Sequence, residues 1–132
     1  MADSPLVKRL VLKPGYRFLL LNAPEGYREQ VGELPADVQL EDQPSGRYDL
    51  VQVFVKSKAE LDAVGRTLLE AVKPNGLLWV SYPKKTSKIK TDISRDYGWE
   101  SLQEAGWGGV AIIAIDDTWS AFRIKPGGRG AK

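Results

Sequence analysis

The 132-residue chain contains no cysteine and no histidine. Disulfides, thiol nucleophiles, zinc sites built from Cys or His, and any mechanism with an imidazole base are therefore excluded. Long hydrophobic runs are missing too. The longest, such as Phe18 to Leu21 and Val110 to Ile115, fall far short of the ~20 residues that cross a bilayer. Charge of one sign is scarce, with 19 Lys+Arg against 17 Asp+Glu. A polyanion-binding role would therefore need a local basic patch. The start at Met1 to Ser4 shows no basic stretch leading into an apolar one, so no secretory signal is read there and a cytoplasmic protein is expected.

What is present fits one globular unit: 42% hydrophobic and 27% charged residues in a length typical of a single domain. The domain is expected over residues 1–125, with 126–132, Gly-rich and basic, as a flexible tail. Ser4-Pro5 reads as an N-cap followed by a first-turn proline, and Leu6, Val7, Leu10 and Val11 recur at helical spacing. Arg17 to Asn22 reads as a strand apolar on both faces, which a central parallel strand requires. Tyr27, Val31 and Leu34 mark a short helix, and Val38 to Leu40 a weak strand. Tyr48 to Val55 is a clearer strand. Ser57 and Glu60 form a capping-box pattern before a helix carrying Leu61, Val64, Leu68 and Val72, with Pro74-Asn75-Gly76 expected to end it. Leu77 to Val80 is another strand, Trp99 to Ala105 a helix, and Val110 to Ile115 and Trp119 to Ile124 a hairpin around Asp116-Asp117-Thr118. Arg123 and Lys125 on the last strand are charges of the kind that block an exposed sheet edge. Alternating strands and helices predict an α/β, three-layer sandwich with a mostly parallel sheet and an antiparallel C-terminal hairpin strand.

This order resembles the Rossmann-like fold of S-adenosylmethionine-dependent methyltransferases. Tyr48-Asp49-Leu50-Val51 resembles the fold's fourth strand, and Leu69 to Val80, with Lys73-Pro74-Asn75-Gly76-Leu77, resembles its L-K-P-G-G-x-L segment and fifth strand. Gly109 to Ile124 would supply the last strand pair. The chain is also similar in build to a small bacterial domain family of unknown function. Two departures stand out. The family's E/D-x-G-x-G loop corresponds to Leu21-Asn22-Ala23-Pro24-Glu25-Gly26-Tyr27, which has one glycine and a stiff Pro24 lacking an N–H. Between Leu40 and Tyr48 there are seven residues, which span at most ~25 Å, so a strand–helix unit is missing and the second strand is expected to be very short or at an edge. Glu41 and Asp42 stand where the resemblance places a ribose-binding carboxylate; on a polar loop they read as solvated acids.

Three groups of residues are candidates for function. Asn22, Glu25, Gly26 and Tyr27, with Phe54 and Lys56 at the end of a later strand, are the positions that the resemblance assigns to a cofactor. Lys84, Lys85, Thr86, Lys88 and Lys90, with Arg95 nearby, follow a strand's carboxyl end, the side on which open α/β sheets bind ligands. Lysines and hydroxyls there suit a phosphate, a nucleic-acid backbone or an acidic partner. Asp116 and Asp117 read as turn chemistry rather than a metal pair, since hard cations want six or more oxygens. The leading expectation is a non-catalytic methyltransferase-like domain that binds a protein partner or small ligand, with no cofactor. One alternative is S-adenosylmethionine or nucleotide binding, as in a small methyltransferase. The other is phosphate or nucleic-acid binding through the 84–90 loop.

Overall fold

The structure, a computed structural model, describes residues 5–132, so the expected Ser4 cap lies outside the described residues. The elements are α1 (Pro5–Leu10), β1 (Arg17–Leu21), α2 (Tyr27–Val31), β2 (Gln39–Glu41), β3 (Tyr48–Phe54), α3 (Lys58–Ala71), β4 (Val72–Pro83), α4 (Glu100–Glu104), β5 (Trp107–Ala114) and β6 (Trp119–Pro126). The strands form one sheet in the order β2-β1-β3-β4-β6-β5. The first four are mutually parallel, and β6 runs antiparallel to both β4 and β5. This is the expected α/β sandwich with its antiparallel hairpin strand.

Each sheet face carries its own core. Leu19, Val51, Val53, Leu78 and Val80 pack with Leu61 and Leu68 of α3 and Leu102 of α4. On the other face, Phe18, Leu20, Leu50, Phe54 and Trp79 pack with Leu6, Val7 and Leu10 of α1 and Tyr27 and Val31 of α2. Adjacent residues of β1 thus enter opposite cores, which is why that strand is apolar throughout. The Ser57 hydroxyl accepts from the Glu60 amide at 3.2 Å. The Glu60 carboxylate reaches back to the Lys56 amide at 3.1 Å, one residue before the cap. The first bond satisfies one of the donors that a helix start leaves open, and the second ties down the residue before the cap.

Several expectations change. Pro74-Asn75-Gly76 does not end α3, which already stops at Ala71; it lies inside β4. Tyr48 pairs with Val72 and Leu50 with Leu77, so residues 73–76 bulge out of the ladder, which accommodates a proline that cannot donate to it. Gly76 has no room for a side chain, since a Cβ would press on Val72 and on the Asp49 carbonyl. β6 is an interior strand, so Arg123 and Lys125 guard no edge. The edge at this end of the sheet is β5, whose Trp107–Ala114 stretch bears no charged residue and meets Arg129 at Gly109.

The 126–132 segment, expected to be a flexible tail, is hydrogen-bonded back onto the domain. The amides of Gly127, Arg129 and Lys132 donate to the carbonyls of Gly106, Gly109 and Gln103, each at 2.9 Å. Gly108 and Gly128 make this possible, because a Cβ on either would collide with the other's backbone.

The shortening falls where the sequence placed it. β2 is three residues long, pairs only with β1 and ends the sheet; residues 42–47 run straight from it to β3 without a helix. That link is held from β1. Arg17 donates to the Arg47 carbonyl at 2.9 Å, the Ser45 carbonyl at 2.8 Å and the Glu41 carboxylate at 3.1 Å.

Candidate functional site

The carboxyl ends of β1 and β3 frame a cavity of about 330 Å³. Asn22, Ala23, Pro24, Phe54, Lys56 and Trp119 line it, with Glu60. Three predicted residues, Asn22, Phe54 and Lys56, are therefore brought together. Asn22 turns the chain at the end of β1 with φ 59, a left-handed conformation that asparagine tolerates better than most side chains.

Three other predicted residues do not line this cavity. Tyr27 is buried beneath the loop, its ring edge-on to Phe54 at 4.7 Å between centroids. Its hydroxyl donates to Gln52 Oε1 at 2.9 Å, and Gln52 Nε2 donates to Ser81 Oγ at 3.1 Å. Burial raises the Tyr27 pKa strongly, against the pull of the Gln52 bond, so the phenol stays protonated and structural. Gly26 caps α2 with φ 84, and a Cβ there would meet only open space. That positive φ is a conformation glycine adopts without the strain a side chain would bring. Glu25 is exposed.

Sequence reasoning missed Trp119 and Glu60 as lining residues. Trp119 follows the Asp116–Thr118 turn, and only the strand order, with β6 beside β4, brings it over Phe54 at 5.0 Å between ring centroids.

The carboxylate expected to face a ribose lies elsewhere. β2 ends at Glu41, level with Leu19. Asn22 is three residues further along β1, roughly 10 Å at ~3.3 Å per strand residue. The Glu41 side chain accepts from Arg17 and, at 2.7 Å, from the Tyr48 hydroxyl. The Tyr48 bond, then the Arg17 bond, holds the Glu41 pKa below its ordinary value. Asp42 faces Arg28 at 3.7 Å, both exposed. Asp42 is thus the solvated acid expected, whereas Glu41 is engaged by Arg17 and Tyr48.

Around the carboxyl end of β4, a second cleft of about 370 Å³ gathers Lys84, Lys85, Thr86 and Arg95 with the hydroxyl-bearing Tyr82, Ser94 and Ser120. Lys88 and Lys90, from the same predicted cluster, are exposed and lie outside its lining. Asp116 behaves as turn chemistry: Oδ1 accepts from the Thr118 and Trp119 amides, both at 2.8 Å, and Oδ2 accepts from Gln30 at 3.1 Å. Burial pushes its pKa up, but the Trp119 and Thr118 amides outweigh this and hold it below the ordinary value. Among the described residues no group of three or more acids has metal-site geometry, and no helix is long and apolar enough to cross a membrane.

No family model matches the chain, and no curated protein does. Solved structures do. The DhpI–SAH complex is similar at 14% identity and a TM-score of 0.61, over 93% of this chain and 83% of that one. Ribosomal protein L11 methylase from Lactobacillus delbrueckii subsp. bulgaricus matches at 12% identity and 0.57, over 92% and 74%. TrmN from Thermus thermophilus matches at 10% and 0.58, over 92% of this chain but 47% of its own. At such identities the likeness establishes architecture. The chain has a methyltransferase-like Rossmann-type α/β fold, shortened between its second and third strands.

Proposed function

We propose that this chain is a methyltransferase-like domain that acts by binding, with a small ligand or protein partner at the carboxyl-terminal rim of its sheet, and that its donor site is degenerate. The observation that carries this reading is Glu41. It stands about three residues below the rim cavity and is engaged by Arg17 and Tyr48, so no carboxylate on β2 is free to take the two hydroxyls of a ribose. The loop after β1 offers equally little: Pro24 has no N–H, and α2 is a five-residue helix too short to present a strong N-terminal dipole. The residues present therefore do not fit S-adenosylmethionine in the way the fold's enzymes hold it, and no transfer step is assigned to them.

Amide-resolved NMR of the labelled protein during an S-adenosylhomocysteine titration tests this. The expected result is no saturable shift at millimolar ligand. Saturable shifts at Asn22, Ala23, Phe54 and Lys56 would overturn it and favour the second reading, a small S-adenosylmethionine-binding protein. The rim cavity itself supports that second reading, together with its place at the ends of β1 and β3 and the similarity to the DhpI–SAH complex.

A further inference from the structure

The basic loop after β4 lies in a different part of the rim from the cavity beside Asn22, and its cations lack partners to match. Among the described residues, no ion pair forms at Lys84, Lys85, Lys88 or Lys90, and Arg95 meets only Asp96, at 3.9 Å with both side chains well exposed. The nearby acids are turned to other work. Asp92 accepts from the Lys58 amide at 2.7 Å, which ties the loop to the start of α3. Asp116, whose charge Lys84 feels, is held by the Thr118 and Trp119 amides and by Gln30. Asp96 alone is an acid lining the cleft.

The loop is also anchored where the cleft opens. The Lys84 amide donates to the Thr118 carbonyl at 2.8 Å, the Ser87 amide donates to the Lys84 carbonyl at 3.0 Å, and the Ser94 and Tyr97 backbones bridge one another. Ile93 is buried in the α3/α4 core, which fixes the far wall. Three cationic residues from two anchored segments thus line one concavity, together with the hydroxyl-bearing Thr86, Ser94, Ser120 and Tyr82.

We infer that this cleft binds a phosphate monoester group of a small ligand, with Lys84, Lys85 and Arg95 as charge partners and the hydroxyls as additional donors. A compact dianion with three terminal oxygens accepts from several directions at once, which suits a concave site of mixed cations and hydroxyls. A planar carboxylate uses fewer of these donors. The outer lysines, Lys88 and Lys90, add long-range attraction without contact. This names a ligand class for the binding reading above, and its test is independent of S-adenosylhomocysteine.

Inorganic phosphate and glycerol phosphate are titrated into the labelled protein, with sodium chloride at matched ionic strength as control. The expected result is saturable amide shifts at Lys84, Lys85, Thr86, Ser94, Arg95 and Ser120 with both phosphates and not with chloride. Lys85→Glu with Arg95→Glu weakens binding by about tenfold or more, while Lys88→Glu with Lys90→Glu changes it by no more than about threefold. All four positions are exposed, and unchanged shifts elsewhere in the spectrum report an intact fold. Equal shifts with chloride, no saturation, or equal loss in the two double variants would overturn the inference. So would a single-stranded RNA 12-mer that binds while neither phosphate does, since that would assign the loop to an extended polyanion.

Discussion

The guanidinium of Arg17 lies 4.2 Å from the centre of the Tyr48 ring, and the Tyr48 hydroxyl donates to the same Glu41 carboxylate that Arg17 contacts. One cation thereby closes the gap left by a missing strand–helix unit. It stacks on the first residue of β3, pairs with the last residue of β2 and hydrogen-bonds two carbonyls of the link between them. Arg17→Ala should cost about 1–2 kcal/mol in urea-derived stability, from charge-assisted bonds and a half-exposed stack. Arg17→Lys should recover less than half of that, because an ammonium cannot serve the carboxylate, both carbonyls and the ring together. Equal stability of all three proteins would remove the link from the account.

Tyr48 supplies the pH dependence of the same cluster. Its hydroxyl also accepts from the Ser45 amide at 3.0 Å, and burial, then the Glu41 bond, raises its own pKa. The Glu41 pKa is held below its ordinary value. The stabilising contribution is therefore present above the unfolded pKa of Glu41, and it is lost as pH falls through the depressed folded value. Tyr48→Phe should lower stability at neutral pH and flatten its decline below pH ~4.5 relative to wild type. Parallel acid-unfolding curves for the two proteins would contradict this.

This cluster also marks the limit of what the sequence alone discloses. Strand and helix order, the truncation after Leu40, the Ser57–Glu60 cap and the turn role of Asp116 were all legible. Each rests on local chemistry: a capping spacing, an apolar run or an Asx turn. The engagement of Glu41 was not legible. It depends on residues 24 and 7 positions away meeting at a sheet edge, and a polar loop composition is silent about that. The placing of β6 inside the sheet was hidden for the same reason, and with it the role of Trp119 and the irrelevance of Arg123 and Lys125 to an edge. The backbone bonds of the 126–132 segment were hidden too, because glycine and basic residues carry no signal of a distant partner. Gly128 sits where the Gly108 backbone leaves no space for a side chain.

Gly109 offers a direct check of such packing. A Cβ at this position would run into the Phe122 ring on the neighbouring strand. Gly109→Ala should therefore cost about 1–3 kcal/mol by overpacking. Phe122→Leu in the same chain should relieve part of that cost, giving a favourable coupling energy in a double-mutant cycle. Additive losses would mean that the strands shift freely and the ring is not the obstacle.

The Tyr27–Gln52–Ser81 chain is the polar interior of the domain, with Gln52 and Ser81 fully buried. Gln52 uses its oxygen toward Tyr27 and its amide toward Ser81, so removing one member strands another away from water. Gln52→Leu should cost about 2–4 kcal/mol, since it leaves two hydroxyls without this partner. Tyr27→Phe alone should cost about 1–3 kcal/mol, because Gln52 Oε1 loses its donor. Combining Tyr27→Phe, Gln52→Leu and Ser81→Ala should be less destabilising than the sum of the single losses, because no member remains to be stranded. Thermal and urea unfolding of the series would decide it, and a triple variant as unstable as the sum would show that shape rather than hydrogen bonding governs this part of the core.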